Sequence, residues 1–507
     1  MLTSTFLWIL SRNLILFYTM LDDFLGRLEI NRPVLERTSM KPDEVACVCH
    51  DLPCFSYLKS PDGRGDGRYS FIGLSPFIVL KSIDSKSHKL VEIQLFQKNE
   101  VIRVHEDPFD VLRNLLDRFQ IKEAVDDIPF LAGGIGYLAY ESVHFIEKLP
   151  FTQSCEVNIP DVMWVFYDVL YIYDHDKEEG YFSAIDYSNY PRRSNIQKAK
   201  EKISYWQKRL EDQFSPSNYS NPGILRPKTT LSPFHTNLSK EEYLSVIQEI
   251  KEYIQRGDIY QANFTYRYYF PYPDNPYHLF QSVSKDHPTP FSAYLNYGDF
   301  QILSFSPERL VQCERGKVLV QPMKGTRPRG KSLLEDEKLK AELLNSEKDG
   351  AELLMIVDLL RNDLGKVSDF GTVVVEKLKN IEAYPSVYQL TSSIRSRLSV
   401  EHDLIDLVKA VFPSGSITGC PKIKAMEVLS SLEREQRSIF MGSIGYISFH
   451  DTLDLNVAIR TALLKEKTLY FQVGGGIIHD SDPEEEYQET IDKSVFLLSQ
   501  FEDKHVG

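Results

Sequence analysis

Cysteine is scarce in this chain, with six among 507 residues. So low a content excludes a small scaffold held together by disulfides. Cys47, Cys49 and Cys54 cluster around His50, but no second half of a metal site follows, and the spacing fits no common zinc finger. We therefore expect buried or idle thiols in a reducing compartment.

A long apolar run and an excess of basic residues are also lacking. The apolar stretch 6–18 is interrupted by Ser11, Arg12 and Asn13, is too short to span a bilayer, and lacks a convincing signal-peptide pattern. The net charge of −14 argues against nucleic acid as a partner. We expect a cytoplasmic protein that binds neither membrane nor nucleic acid. Residues 1–29 are predicted to be an N-terminal extension, with Met20 as an alternative start.

Common nucleotide-binding patterns are missing too. The glycines of Gly133–Tyr137 have the wrong spacing for a dinucleotide fingerprint, and their apolar neighbours favour a packed strand. The stretch Ser414–Lys422 lacks the spacing of a P-loop, so ATP is not implied.

What is present predicts a two-part α+β protein. Short strands dominate 30–212, the polar stretch 213–237 predicts a linker, and 238–502 opens with a helix over Lys240–Gln255 that ends at Gly257. Strands and helices then mix without a regular strand-helix-strand alternation, which favours largely antiparallel sheets. Apolar residues make up 42 % of the chain, enough for a full core.

Acidic residues on two predicted helices form one candidate site. Glu352 lies in the apolar helical segment 350–365, and Glu486 and Glu489 lie three residues apart, on one helix face. Two carboxylates from separate helices, completed by water, are what Mg²⁺ usually takes. The alternative is that these are ordinary solvent-facing acids.

Glycine-rich and basic segments form further candidates. The run Val473–Ile477 and the small residues before Lys422 could bring backbone N–H groups against an anion, although glycine clusters are more often plain turns. Lys324 is followed by Arg327 and Arg329. Burial and neighbouring positive charge favour a neutral, nucleophilic lysine amine, whereas the alternative is a solvated basic loop.

Taken in order, these segments resemble the chorismate-utilising enzymes, which include anthranilate synthase, aminodeoxychorismate synthase, isochorismate synthase and salicylate synthase. The resemblance covers 238–500 and, more loosely, 40–190. It implies a β-sandwich-like core with surrounding helices, as in anthranilate synthase component I. The matching blocks are Ser306–Arg309, Lys324–Thr326, Ala351–Asp363, Gly415–Lys422, Gly442–Tyr446, Ile459–Arg460, Gly474–Ile478 and Glu486–Lys493.

One position indicates a branch of this family. Anthranilate synthases carry Ala before the Gly-Thr pair, whereas this chain has Lys324 before Gly325 and Thr326, which resembles aminodeoxychorismate synthase component I. That branch converts chorismate and ammonia to 4-amino-4-deoxychorismate, for 4-aminobenzoate and folate biosynthesis. The alternatives are anthranilate synthase component I and a non-enzymatic chorismate-binding regulatory protein.

The resemblance also implies residue roles. Lys324 would be the covalent nucleophile and Glu308 the general acid and base. Glu352 and Glu489 would bind Mg²⁺, with Asp349 and Glu486 nearby. The implied chorismate-binding residues are Gly325, Thr326, Thr418, Tyr446, Arg460, Gly474, Gly475, Gly476 and Lys493. A tryptophan pocket is implied at Ser60, Arg68, Tyr69, Pro290, Phe291 and Ser292.

Two further features are the source of the nitrogen and one residue, Gln389, that departs from the family pattern. No Gly-x-Cys-x-Gly elbow surrounds any cysteine, so ammonia is expected from a separate glutamine amidotransferase subunit or from solution. Gln389 stands where many relatives place His. Because glutamine does not titrate near neutral pH, we expect no proton transfer by Gln389.

Overall fold

The structure is a computed structural model. The predicted extension 1–29 and most of the predicted linker, 215–233, lie outside the residues that it describes. The described ranges are 32–61, 67–84, 89–96, 99–121, 127–150, 153–186, 196–214, 234–384 and 387–501.

Strands form the centre of the molecule, and within the described ranges they make one hydrogen-bonded network of 22. The strands are β1 (Val34–Thr38), β2 (Phe55–Lys59), β3 (Tyr69–Asp84), β4 (Leu90–Leu95), β5 (Glu100–His105), β6 (Gly133–Leu138), β7 (Val162–Asp174), β8 (Glu179–Ala184), β9 (His235–Thr236), β10 (Gln261–Pro271), β11 (Phe291–Asn296), β12 (Phe300–Ser306), β13 (Arg309–Glu314), β14 (Lys317–Gln321), β15 (Met323–Pro328), β16 (Val374–Ala383), β17 (Val387–Arg397), β18 (Gly419–Cys420), β19 (Ser443–Ser448), β20 (Thr452–Asn456), β21 (Thr461–Lys465) and β22 (Thr468–Ile477).

Helices pack around this network. They are α1 (Pro42–Cys49), α2 (Pro108–Arg118), α3 (Ile196–Gln213), α4 (Lys240–Gln255), α5 (Pro276–Asp286), α6 (Leu333–Asn345), α7 (Glu347–Gly365), α8 (Leu404–Val411), α9 (Gly415–Thr418), α10 (Lys422–Leu432) and α11 (Pro483–Leu498), with a 3₁₀ turn at Tyr140–Phe145. None of the helices in the described ranges has the length and apolarity needed to cross a membrane.

The pairings between these strands are antiparallel, as in β10 with β22 and β3 with β7. This confirms the predicted α+β class with largely antiparallel sheets. The glycine-rich strand β6 is buried along its whole length, as its apolar neighbours predict. The helix over Lys240–Gln255 is confirmed at both ends; Ser239 caps it by accepting from the backbone N–H of Glu242.

The two predicted halves share the network. β2 pairs with β11, and β6 pairs with β19, so strands from before 190 lie directly beside strands from after 290. The hydrophobic core also mixes residues of both halves, for example Trp164 with Val311 and Leu453. The predicted linker at 213–237 therefore does not coincide with a boundary between sheets. The division of the chain into two domains stays a prediction.

Candidate active site

Lys324 lies on β15, and its amine faces α7. Its Nζ atom is 3.5 Å from Oε2 of Glu352, and the two side chains are only 15 % and 14 % exposed. A Cβ atom added to Gly476 at the end of β22 would lie 3.3 Å from the same Nζ. The amine therefore sits in a narrow space between an acidic helix residue and a glycine-rich strand. We name Lys324, Glu308, Glu352, Glu489 and Gly474–Gly476 the lysine centre.

Glu308 is the buried acid of this centre. It precedes β13, is 3 % exposed, and accepts a hydrogen bond of 2.7 Å from the Ser416 hydroxyl. Burial raises the pKa of Glu308 to about 7, against the lowering effects of the Ser416 hydrogen bond, the Lys324 charge and the Met323 backbone. An acid with this pKa can both give and take a proton near neutral pH.

A stripe of charged residues on α11 forms the opposite wall. Asp482 caps this helix, Pro483 occupies its first turn, and the i, i+3, i+7 spacing sets Glu486, Glu489 and Lys493 on one side. Nζ of Lys493 lies 2.6 Å from Oε1 of Glu489 and 2.9 Å from the carbonyl oxygen of Gly474. Burial opposes ionisation of Glu489, but the charges of Lys493 and Lys324 lower its pKa below the ordinary value.

Glu486 behaves differently although it lies one turn away. It is buried, accepts a hydrogen bond of 2.6 Å from Ser481, and its pKa is raised by burial. A Cβ atom on Gly475 would lie 3.0 Å from its Oε2 atom, and one on Gly474 would lie 2.2 Å from the Phe264 carbonyl oxygen. Only glycine allows β22 to approach α11 and β10 this closely.

The carboxylates of Glu352 and Glu489 fit the chemistry of a hard divalent cation. They come from two helices, and both interact with the charge of Lys324. Among the described side chains, no group of three or more Asp, Glu, His or Cys is placed to hold a metal ion. A cation bound here would therefore take two carboxylates and fill its other positions with water or substrate oxygen.

The two arginines after Lys324 each form an ion pair with a carboxylate. Arg327 pairs with Asp349 at 3.2 Å, and Arg329 pairs with Asp336 at 2.7 Å. The strand geometry turns each guanidinium towards its own carboxylate, so neither stands as a free positive charge beside the amine. Asp349 also lies against Gly325, the residue that follows Lys324.

The predicted anion-binding residues are placed unequally. Arg460 is largely buried, and no described side chain forms an ion pair with it; its charge contributes to lowering the pKa of His287. An unpaired guanidinium in such surroundings suits a carboxylate ligand. Gly325 adopts a φ of +70° and lies against Asp349, whereas the neighbouring Thr326 is exposed. Thr418 is fully buried, and its hydroxyl donates to the Ser414 carbonyl oxygen.

Tyr446, which the family resemblance implies as a chorismate-binding residue, packs among aromatic rings. Its ring stacks on Phe130 at 4.6 Å and meets Phe71 edge-on at 5.3 Å, because the alternation of β19 turns it towards the first half of the chain. It lines a separate cavity of about 250 Å³, which we name the aromatic cavity. All six residues of the predicted tryptophan pocket line this cavity: Ser60, Arg68, Tyr69, Pro290, Phe291 and Ser292.

Three polar residues at the centre were missed or left without a role by sequence reasoning. The Ser416 hydroxyl donates a hydrogen bond to Glu308. The Asn263 side-chain N–H donates to the Ser416 carbonyl oxygen at 3.2 Å. The Oδ1 atom of Asn263 is buried and has no partner in the described part of the chain. Gln389, in register with Thr326, also has a buried side-chain oxygen without a described partner. Ser416 lies in a recognised motif, but only the fold brings Asn263 to it.

Comparisons with known proteins agree with this geometry. The model of the chorismate binding enzyme family matches residues 75–499. Aminodeoxychorismate synthase component 1 of Escherichia coli strain K12 is 37 % identical, over 78 % of this chain and 83 % of that protein. Anthranilate synthase component 1 of Acetivibrio thermocellus is 32 % identical, over 89 % of this chain and 90 % of that protein.

Solved structures agree as well. Anthranilate synthase component I from Streptococcus pneumoniae TIGR4 superposes with a TM-score of 0.74 at 28 % identity, covering 88 % of this chain and 94 % of that one. The menaquinone-specific isochorismate synthase of Escherichia coli shares the fold, with a TM-score of 0.66 at 14 % identity over 97 % of this chain and all of that one. Relatives with different reactions match, so these comparisons do not separate the reactions. The chain belongs to the family of chorismate binding enzymes.

Proposed function

We propose that this chain is aminodeoxychorismate synthase component I, which forms 4-amino-4-deoxychorismate from chorismate and ammonia. The observation that carries the proposal is the Lys324 amine, which lies beside Glu352 and is electrostatically coupled to the buried acid Glu308. A primary amine next to an acid whose pKa is about 7 supplies both a nucleophile and a proton donor.

In the first step the neutral Lys324 amine attacks C2 of the chorismate ring. Both ring double bonds shift, C1=C2 to C1=C6 and C5=C6 to C4=C5, the bond from C4 to its hydroxyl breaks, and Glu308 donates the proton with which the hydroxyl leaves as water. Hydroxide is a poor leaving group, so this proton transfer is essential. Ser416 keeps the carboxyl of Glu308 in one orientation throughout.

In the second step ammonia attacks C4. Both double bonds shift back, the bond between C2 and the Lys324 nitrogen breaks, and Glu308 as carboxylate takes the surplus proton that ammonia loses. The enolpyruvyl group stays on the ring. Anthranilate synthase component I, the alternative, would instead release pyruvate.

Substrate charge is balanced by residues around the centre. Arg460 and Lys493 are proposed to bind the two carboxylates of chorismate, supported by the burial of Arg460 and the position of Lys493 beside Gly474. Glu352 and Glu489 would hold Mg²⁺, which when bound would offset the charge of the ring carboxylate. Bound there, the cation would take the carboxylates that now interact with Lys324.

The aromatic cavity is proposed to bind tryptophan. Tyr69, Phe291 and Tyr446 offer aromatic surface, and the ion pairs of Arg68 with Asp174 and of Arg309 with Asp454 bring polar groups to the same space. An amino acid with an indole ring needs both kinds of group.

The partner and setting complete the proposal. Two relatives are named component 1 of their synthases, and we infer that this chain likewise works with a second subunit that hydrolyses glutamine, in the cytoplasm. Its product would supply 4-aminobenzoate for folate.

Product identity tests the proposal directly. Purified chain with chorismate, Mg²⁺ and an ammonium salt is expected to give a product that an added lyase converts to 4-aminobenzoate. Anthranilate and pyruvate formed without the lyase would favour the alternative synthase. No turnover of chorismate under any of these conditions would favour the regulatory protein.

A further inference from the structure

A second, larger cavity lies on α7, next to α8 and α10, and the proposed chemistry does not use it. It measures about 510 Å³, a size that is typical of small-molecule sites. Apolar side chains such as Leu359, Phe412 and Met426 make up half of its lining, and polar or charged residues make up the rest. We name it the α7 cavity. Its mixed lining favours a ligand that carries both an apolar body and a polar group.

A buried ion pair lines the α7 cavity. Nζ of Lys422 lies 2.6 Å from Oδ2 of Asp363, and the two side chains are 11 % and 3 % exposed. The other carboxylate oxygen of Asp363 accepts from Lys366 at 2.9 Å. Burial lowers the pKa of Lys422, against the raising effect of the Asp363 charge. Buried charges are costly to maintain, and a cavity that contains them is typical of a functional site.

The Lys422 ammonium has hydrogen-bond donors to spare. A lysine ammonium carries three N–H donors, and Asp363 is its one acceptor within the described part of the chain. A buried donor that lacks an acceptor costs free energy. The two remaining N–H groups of Lys422 therefore favour an anionic acceptor that enters the cavity from solution.

The charges around the α7 cavity also favour an anion. Three lysines and three acids line it: Lys366, Lys409, Lys422, Glu147, Asp363 and Asp406. Asp406 is paired from outside the lining with Arg113 at 2.6 Å, whereas Lys409 reaches Asp110 only at 3.7 Å. With Asp406 offset by Arg113 and His402 neutral, the three lysines face two acids. One negative charge on a ligand would balance this surplus.

The α7 cavity lies against the backbone segment that binds Glu308. Leu359 lines the cavity, and a Cβ atom added to Gly415 would lie 2.2 Å from the Cδ2 atom of Leu359. The next residue, Ser416, donates to Glu308 at 2.7 Å. A ligand that packs on Leu359 is therefore connected to the proposed acid through one side chain and a short stretch of backbone.

We propose that the α7 cavity is a regulatory site for a small monoanion with an aromatic body, and that its occupancy changes the rate of chorismate turnover. The anionic group would bind Lys422 and Lys366, and the aromatic body would lie on Leu359, Phe412 and Met426. The effect on the rate rests on the proposed function of Glu308, whereas binding itself does not.

Fluorescence titration with a matched pair of probes tests binding. Anilinonaphthalene sulfonate is an aromatic monoanion, and N-phenylnaphthylamine carries the same rings without the charge. Three variants locate the probe: Ala410→Trp fills the α7 cavity, Lys366→Gln/Lys409→Gln removes two of its charges, and Ser292→Tyr fills the aromatic cavity. The control is Lys424→Gln, which alters a lysine on α10 that does not line the cavity.

The sulfonate is expected to bind the unaltered chain about fivefold or more tightly than the uncharged amine. Ala410→Trp should weaken sulfonate binding about tenfold or more by filling the space, and the double lysine variant about fivefold by removing charge. Ser292→Tyr, Lys424→Gln and saturating chorismate should leave it within about twofold. Equal binding of the two probes would overturn the proposal. So would unchanged binding in Ala410→Trp, or loss of binding in Ser292→Tyr or with chorismate.

The regulatory role is tested on the rate at which chorismate is consumed with ammonium, whichever product forms. Saturating sulfonate should change kcat by about twofold or more in the unaltered chain, and this response should be lost in Ala410→Trp. An unchanged rate in the unaltered chain would overturn the regulatory role. If the chain consumes no chorismate, the proposed function fails, whereas the binding titration still decides the site.

Discussion

Glu308 and Arg309 are neighbours in the chain, yet they serve two different regions of the molecule. At the start of β13 Glu308 turns towards Lys324, while Arg309 turns the other way, pairs with Asp454 at 2.9 Å, and lies 4.8 Å from the Phe291 ring. Asp454 and Phe291 line the aromatic cavity. The start of β13 thus lies between the lysine centre and the aromatic cavity.

The two regions are held in different ways. Arg309 contacts Asp454 through two nitrogens, and the Tyr446 ring packs against rings on two sides, so close contacts position the groups around the aromatic cavity. In the lysine centre the pair of Lys324 and Glu352 is long, at 3.5 Å, and the Glu308 pKa lies near neutral pH. Groups that are loosely paired and exchange protons are suited to catalysis. Groups that are fixed by close contacts are suited to binding a ligand. Changes in the lysine centre should therefore alter rate, and changes in the cavity should alter ligand affinity.

The largest effect is expected at Lys324. Lys324→Arg keeps the charge but can neither attack the ring nor lose a proton, so it should lose about three orders of magnitude in kcat, as should Lys324→Ala. Because the side chain makes a single, long ion pair within the described part of the chain, the melting temperature should change little. Initial rates with ammonium and a thermal melt measure both, with Lys338→Arg on the exposed side of α6 as control. Near-normal activity of Lys324→Arg would leave Lys324 a binding role only.

The next effect concerns the carboxylates that face Lys324. Glu352→Gln and Glu489→Gln should each weaken Mg²⁺ binding by about tenfold or more, because each removes one of only two charged ligands. Titration calorimetry with Mg²⁺ measures this without turnover, and Glu347→Gln, exposed on the same helix as Glu352, is the control. Unaltered Mg²⁺ affinity in both variants would refute the metal site.

A smaller effect is expected at Ser416, which lowers the pKa of Glu308 through its hydrogen bond. Glu308 must be protonated to release the hydroxyl, so turnover should fall as pH rises through about 7. Ser416→Ala removes a lowering effect, raises the Glu308 pKa further, and should move this fall about one pH unit upward. The pH profile of kcat/KM measures the shift, with Ser443→Ala, another buried serine, as control. A downward shift would contradict the assignment.

The smallest effect is expected at Tyr446. Tyr446→Phe keeps the stacked ring and removes only the hydroxyl, so kcat and KM for chorismate should stay within about twofold. Tryptophan binding, measured by calorimetry, is the readout for the cavity, where Ser292→Tyr should abolish it by filling the space. A tenfold rise in KM for chorismate in Tyr446→Phe would indicate that Tyr446 binds chorismate.

Sequence reasoning predicted the lysine centre better than its surroundings. Lys324, Glu352 and Glu489 each lie in a short motif of the second half, and helical spacing alone sets Glu486 and Glu489 on one face. The helix Lys240–Gln255 and the buried glycine strand follow from local pattern in the same way. Such features need no knowledge of distant contacts.

What could not be predicted depends on contacts between distant segments. Tyr446 follows a glycine in a recognised block, and only the pairing of β19 with β6 shows that its ring faces Phe130. Arg327 and Arg329 looked like neighbours of the amine, but their carboxylate partners lie on helices whose packing the sequence does not reveal. The cavity beside Asp363 depends on helices α7, α8 and α10 meeting in space.

The covalent role of Lys324 is tested most directly by mass spectrometry of the unaltered protein. Chorismate and Mg²⁺ are supplied without any ammonia source, the reaction is quenched rapidly, and the peptides are mapped. The proposed first step predicts that Lys324 gains the mass of chorismate less one water, and that adding ammonium before the quench removes this adduct. An unmodified Lys324 in a preparation that turns over chorismate with ammonium would contradict the covalent mechanism.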